Sequence, residues 1–215
     1  MSGLDGELDE EQRHRFEVVS TKDAYVGRIL ALRVDEVVMP GGGQARREVV
    51  EHQGAVAIAA LDEDDNVVLI HQYRHPLGRR IWELPAGLLD HADEDPLVAA
   101  KRELVEEVGL TAERWSVLVD VAASPGFTDE VVRVFLATGL STVDRIMEGD
   151  EEADIVARRV PLAEAARMAL AGEIVNGAAV GGVLAAQAVR TRNAQPRPVD
   201  APWQDLPTRF PNRDA

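Results

Sequence analysis

The chain has 215 residues, 46% of them apolar, no cysteine and a formal charge of −15. That composition describes a soluble globular protein and excludes a disulfide scaffold, a thiolate metal site and a long apolar membrane span. Acidity of this size argues against a basic nucleic-acid-binding surface. The first residues lack the apolar core of a signal peptide, so a cytoplasmic location is the default expectation.

Residues 1–13 are expected to form a disordered acidic lead. Residues 14–53 read as strands: Val18, Tyr25, Val26, Ile29, Ala31, Leu32, Val34, Val37 and Val38 are strand-like apolar positions, and Pro40-Gly-Gly-Gly43 is a turn. A small antiparallel sheet of about three strands follows, marginal alone and in need of a partner surface. Residues 54–193 form the main domain. It opens with an apolar central strand (54–61), a turn at 62–66 and a return strand (67–73), then a short strand at 81–84 that ends in a tight turn at Gly87. A helix begins after Asp95, its expected N-cap, with Pro96 at the first helical position, and Gly109 ends it. Leu97, Ala100, Leu104 and Val108 recur at helical spacing as its buried stripe, with acid on the opposite face. Strands are expected at 115–121, 131–137 and 155–160, with a loop at 123–128. Helices follow at 162–171 and 176–192, the second rich in small residues suited to close packing. Residues 194–215 are expected to lie extended over the surface. Strands and helices mix without regular βαβ alternation, which indicates an α+β organisation.

The chemistry concentrates in Arg102-Glu-Leu-Val-Glu-Glu-Val-Gly-Leu110. Residues three and four apart on a helix are neighbours, so Glu103, Glu106 and Glu107 share a patch in which like charges repel. They also lie where the helix dipole disfavours negative charge. A set of hard oxygen ligands for a divalent cation explains such a patch; the alternative is a solvated acidic face neutralised by Lys101 and Arg102. A glycine turn before the helix would let backbone carbonyls join the carboxylates. Arg74, Arg79 and Arg80 flank the same region, and guanidinium groups suit bidentate phosphate recognition. Glu83 is read either as a partner for a ribose hydroxyl or as a structural carboxylate. Trp82, His71 and His75 are read as structural.

These residues resemble the Nudix box: Gly, five residues, Glu, seven residues, then Arg-Glu-apolar-x-Glu-Glu-x-Gly-apolar. The second half matches at every defined position. Glu94 stands at the right distance from Arg102, whereas Gly87 lies one position too far upstream, which reads as a one-residue loop insertion. The resemblance implies a Nudix-type α/β/α sandwich with a mixed sheet between helices and the box helix over a sheet edge. It also implies metal-dependent hydrolysis of a nucleoside diphosphate linked to another group. Glu103, Glu107 and Glu106 would bind Mg2+, with Mn2+ as a possible substitute, and the Ala86 carbonyl would be a backbone ligand. Arg102 would hold the helix carboxylates.

Pro125, about fifteen residues past the box, is similar to a signature of the ADP-ribose pyrophosphatase subfamily, as are Gln72-Tyr-Arg-His75, Arg79-Arg-Ile-Trp-Glu-Leu-Pro-Ala-Gly87 and the N-terminal strand extension. The resemblance implies cleavage of ADP-ribose to AMP and ribose 5-phosphate by a homodimer, with no nucleic-acid or membrane partner. The small residues of 176–192 point to the same dimer. Arg74, Arg79, Arg80, Glu83 and Pro125 would contact substrate. A catalytic base would stand in Asp150-Glu-Glu-Ala-Asp154, with Glu152 the better positional match and Glu151 the alternative. Another nucleotide sugar such as GDP-mannose, a dinucleotide, or a sensor that binds ADP-ribose without cleaving it are the competing readings.

Overall fold

A computed structural model describes residues 16–90, 94–145 and 154–213. The acidic lead, most of the segment carrying Glu151 and Glu152, and part of the loop before Glu94 lie outside these residues.

The described residues form two sheets. The first is an antiparallel hairpin series, β1 (Val18–Val26), β2 (Leu30–Val38) and β3 (Gln44–His52), in the order β1-β2-β3. Gly41 and Gly42 adopt positive φ in the β2–β3 turn, a conformation that glycine adopts without strain. Every residue of β1 is exposed, including Val18, Val19, Tyr25 and Val26.

The second sheet is mixed and runs β10-β5-β4-β9-β8. It comprises β4 (Ala55–Leu61), β5 (Asn66–Arg74), β8 (Leu110–Ala122), β9 (Val131–Thr142) and β10 (Val156–Pro161), with short β6 (Arg79–Glu83) on β5 and β7 (Ala86–Leu88) on β4. The strand β4 is parallel to β9 and antiparallel to β7. Among the described residues three α-helices cover it: α1 (Pro96–Val108), α2 (Leu162–Leu170) and α3 (Gly177–Arg190).

The alternation of β4 explains the layering. Val56, Ile58 and Ala60 point to the side where Ala99, Ala100 and Leu104 of α1 pack, whereas Ala57, Ala59 and Leu61 point to Leu162, Ala165, Val183 and Ala186 of α2 and α3. A strand buried on both faces reads as a continuous apolar run for this reason. The helix α1 therefore lies across a face of the sheet, against β4, β7 and β8, not over its edge as expected, because its apolar stripe buries itself on that face. No helix among the described residues is long and apolar enough to cross a membrane.

Several expectations change. The segment 86–88, expected as a turn, is a strand, too short for any periodic pattern to reveal. Strands β8 and β9 run to 13 and 12 residues because they pair with each other along almost their full length. Part of the small-residue set of α3 packs inward. Ala179, Gly182, Val183 and Ala186 are buried within the subunit, and a Cβ on Gly182 would meet Leu84 and Val134 side chains at 2.7 and 2.8 Å.

The C-terminal segment, residues 194–213, runs in turns and irregular stretches and is bound closely to the domain. Arg197 exchanges two backbone hydrogen bonds with Val117, and Val199 and Trp203 pack against the α1 side of the core. Arg133, 4% exposed, bonds Asp120 and the carbonyls of Ala201 and Pro202, and its guanidinium lies 4.7 Å from the Trp203 ring centre.

Candidate active site

The sheet opens where β4 and β5 diverge. They pair only at Leu61 and Val67, beside the turn. Beyond that point β6 follows β5 and β7 follows β4, and the Ile58 N–H donates to the Pro85 carbonyl. The gap holds a cleft of about 490 Å³. Its floor and walls include Ala57, Gln72, Arg74, Glu83, Ala86 and Gly87, with Glu103 and Glu107 from α1 on one side. Arg28, His52 and Glu130 form part of another wall, and Asn176 and Ala178 at the start of α3 complete it.

The helix α1 is built as its residues dictate. Asp95 accepts the Leu97 N–H at 2.8 Å, Pro96 occupies the first turn, and Gly109 caps the end at φ 63°. Its acidic face is not solvated: Glu106 and Glu107 are buried. Glu107 reaches under the β7 segment, where its Oε2 accepts the Ala86 N–H at 2.8 Å. Burial pushes its carboxyl up to about 8, and that amide hydrogen bond opposes the rise. Burial also pushes Glu103 up to about 7 against the pull of Arg102. Gly87 is needed because a Cβ there would overlap the Glu103 carboxylate.

Arg102 gathers the remaining charge. Its guanidinium holds Glu94 through two contacts of 3.1 Å, Glu103 at 2.7 Å and Glu106 at 3.0 Å. Asp90 stands at 3.7 Å. These partners, Glu94 first among them, raise the Arg102 pKa further above its ordinary value. Arg145 donates to the Glu106 carbonyl at 2.7 Å and so satisfies one of the last acceptors of α1. Glu94, despite the extra residue between it and Gly87, is thus a partner of Arg102.

A second buried carboxylate organises the opposite side. Glu83, 2% exposed, accepts Arg74 Nε at 2.9 Å, Arg74 Nη2 at 2.7 Å and Gln72 Nε2 at 3.0 Å. Both of its oxygens are engaged, so it fixes the direction of the half-exposed Arg74 guanidinium. The register of β5 and β6 makes this possible, since Gln72 pairs with Ile81 and Ile70 with Glu83 on one face of the ladder.

The structure therefore brings Arg74, Glu83, Ala86, Glu103 and Glu107 to one cleft. It does not bring Arg79, Arg80, Pro125 or Glu106 into the cleft lining. Arg79 is exposed at the tip of the β5–β6 hairpin. Arg80, on the other face of that hairpin, pairs with the carboxylate and carbonyl of Asp154. Pro125 lies beside Leu206 and Pro207 in a separate depression, because the loop that holds it is pinned to β3 through the Val50–Phe127 and Asp129–Val50 backbone bonds. Glu106 is turned towards Arg102. Trp82 is partly buried, its ring centre 4.5 Å from that of His71 and tilted by 32°. Arg28, His52 and Glu130 were not singled out by the sequence reading, since nothing local marks a turn, a strand end or a loop that meets the cleft only through tertiary packing. Asn176 was foreseen as the start of a helix, and it caps α3 by accepting the Ala179 N–H at 2.9 Å.

A mixed sheet between one helix and two, with a buried carboxylate helix under a glycine-containing strand, defines a Nudix-type hydrolase site, and residues 51–178 match the NUDIX domain. The chain belongs to the Nudix family. It is 57% identical to an ADP-ribose pyrophosphatase of Mycobacterium tuberculosis over 202 residues, covering 94% of this chain and 98% of that protein. It is 36% identical to an ADP-ribose pyrophosphatase of Bacillus subtilis over 156 residues, 73% of this chain and 84% of the other. A methanol dehydrogenase activator of Bacillus methanolicus is 40% identical over 153 residues, 70% of this chain and 80% of the other. The solved structure of an ADP compounds hydrolase shares the fold, with a TM-score of 0.73 over 84% of this chain and 97% of that one at 21% identity.

Proposed function

We propose that this Nudix enzyme hydrolyses ADP-ribose to AMP and ribose 5-phosphate with Mg2+ or Mn2+. One observation carries the chemistry: the desolvated carboxylates Glu103 and Glu107 share a cleft with Arg74, whose guanidinium is aimed by Glu83. Similarity to two ADP-ribose pyrophosphatases over most of the chain supports the substrate.

The donor set fits a divalent cation. Two carboxylates held out of water are costly as bare anions, and a cation relieves that cost. Among the described residues no three acidic or imidazole side chains stand close enough to hold an ion by themselves. Mg2+ commonly keeps several waters and leans on one or two carboxylates plus substrate phosphates. Glu103 and Glu107 would hold the ion, with Ala86 and Glu106 as further candidates. A bound divalent cation neutralises charge on the diphosphate and lowers the pKa of water.

The chain's own groups do the rest. Arg74 binds the diphosphate, and Glu83 with Gln72 keeps its fork in one orientation. Arg102 holds the α1 carboxylates in register. Water adds to one phosphorus, the bond to the bridging oxygen breaks, and two monophosphates leave. Glu152, with Glu151 as alternative, would take the water's proton; Ile155, which lines the cleft, is three residues further on. Arg79, Arg80 and Pro125 would act from outside the described cleft. Exposed apolar side chains on and beside β1, among them Phe16, Val18 and Tyr25, support a homodimer, since apolar surface of this kind seeks a partner.

Product analysis tests the reading. Purified protein incubated with ADP-ribose is expected to release AMP and ribose 5-phosphate only when Mg2+ or Mn2+ is present. Preferential cleavage of GDP-mannose or a dinucleotide would overturn the substrate. Binding of ADP-ribose with no cleavage under either metal would overturn the enzymatic reading.

A further inference from the structure

Glu51 is completely buried near the end of β3, yet its carboxylate receives three guanidinium groups. Arg33 of β2 approaches Oε1 at 2.7 Å, Arg209 approaches Oε1 at 2.8 Å, and Arg213 approaches Oε2 at 2.6 Å. Two more carboxylates balance the charge. Arg213 also grips Asp23 of β1 at 2.8 and 2.9 Å, and Arg33 holds Asp35 at 2.7 Å. Two of the three arginines on Glu51 come from the C-terminal segment, more than 150 residues away in sequence. The network thus ties that segment to all three strands of the N-terminal sheet.

The residue after Glu51 faces the cleft. The His52 N–H donates to Asp129 at 2.8 Å, and its Nδ1 accepts the Gly54 N–H at 3.2 Å and lies 3.8 Å from Glu130. Gly54, at φ 85°, is covered by Pro207 of the same C-terminal segment. Arg28, in the turn between β1 and β2, lines the cleft and also a neighbouring groove of about 590 Å³ walled by Phe210, Pro211 and Arg213. One wall of the cleft is therefore built on residues that the C-terminal segment holds.

We infer that residues 206–213 are a strap that positions the Arg28–His52 wall of the cleft through the Glu51 ion-pair hub. This rests on the reading that the cleft takes ADP-ribose. Arg209 and Arg213 are positioning residues: they touch neither the carboxylates of α1 nor Arg74. Their loss acts on substrate fit, while the α1 side, anchored separately by Arg102 and Arg145, is left in place. A buried carboxylate that keeps only one of three partners is also poorly compensated, so β3 must shift to rehydrate it.

The test compares wild type with Arg209→Ala, Arg213→Ala, the double variant, and the double lysine variant R209K/R213K. The double alanine variant is expected to raise KM for ADP-ribose on the order of tenfold with kcat within about twofold, a loss of binding uniform to ground and transition states. Mn2+ affinity measured without substrate is expected to stay unchanged, and the lysine variant is expected to recover part of the KM. Backbone hydrogen exchange at residues 52–55 is expected to quicken in the double alanine variant. Unchanged KM and exchange would overturn the strap, and so would a parallel loss of kcat, KM and Mn2+ affinity. If the double variant has no cooperative melt, Arg209→Ala, whose side chain is half exposed, carries the same comparison. If wild type fails to cleave ADP-ribose, the proposed activity falls, and the exchange experiment alone decides the strap.

Discussion

Gly87 and Glu103 are in van der Waals contact across the floor of the cleft, so close that a methyl group on Gly87 would occupy the space of the Glu103 carboxylate. The strand β7 carries the glycine and α1 carries the glutamate, so this contact sets how near the helix comes to the sheet. Gly87→Ala is expected to fold, because Gly87 is partly exposed and its φ is not in the left-handed region. It is also expected to displace Glu103 and lower kcat on the order of a hundredfold, since a shift of about 1 Å at a reacting centre has that scale. Steady-state kinetics beside a thermal melt check it; wild-type kcat would show that Glu103 moves aside harmlessly.

The α1 carboxylates make metal binding and stability depend on pH in opposite ways. Glu103 and Glu107 have pKa values raised to about 7 and 8 in the metal-free protein. A raised folded-state pKa favours folding below the unfolded value and withdraws that support as pH rises through the folded value. The metal-free Tm is expected to fall between pH 5 and pH 8. Mg2+ must displace these protons, so the Mg2+-induced rise in Tm is expected to grow over the same window. Melting curves with EDTA and with excess Mg2+ test both signs. Glu107→Gln should flatten the metal-free dependence and abolish most of the metal-dependent turnover.

Arg102 neutralises Glu94, Glu103 and Glu106 at once, and each of these side chains is largely buried. Removing the cation leaves them uncompensated. Arg102→Ala is expected to lower stability by about 3 kcal/mol in urea titration. Arg102→Lys is expected to cost less stability but to keep little activity, because a lysine cannot hold Glu94 in a two-point grip while also reaching the helix carboxylates. Equal activity of the lysine variant would show that charge alone is needed.

Glu152→Gln is expected to reduce kcat by about 10² to 10⁴, the usual range for loss of a general base, with Mn2+ affinity unchanged. Glu151→Gln should be nearly silent. A reversed outcome moves the role to Glu151, and two silent variants place the base elsewhere.

Local residue chemistry was enough for much of this protein. Asp95, Pro96 and Gly109 delimit α1 through capping and backbone preference, and Asn176 starts α3 in the same way, because these effects act within one helical turn. The apolar run of β4 announced a strand buried on both faces. The spacing of Glu103, Glu106 and Glu107 beside Arg102 carries the likeness to the Nudix box by itself. Tertiary structure decided the rest. Three carboxylates share one helical patch, yet packing sends Glu107 under Ala86, sets Glu103 against Gly87 and turns Glu106 to Arg102. Arg74 enters the cleft, whereas Arg79, its register partner at the exposed hairpin tip, and Arg80, held on the other face by Asp154, do not. No periodicity encodes a buried Glu51 that gathers arginines from the far end of the chain. Spacing along a chain fixes which residues can share a helix face or a strand face; only the packing of distant segments determines which charges lose their water and must find partners.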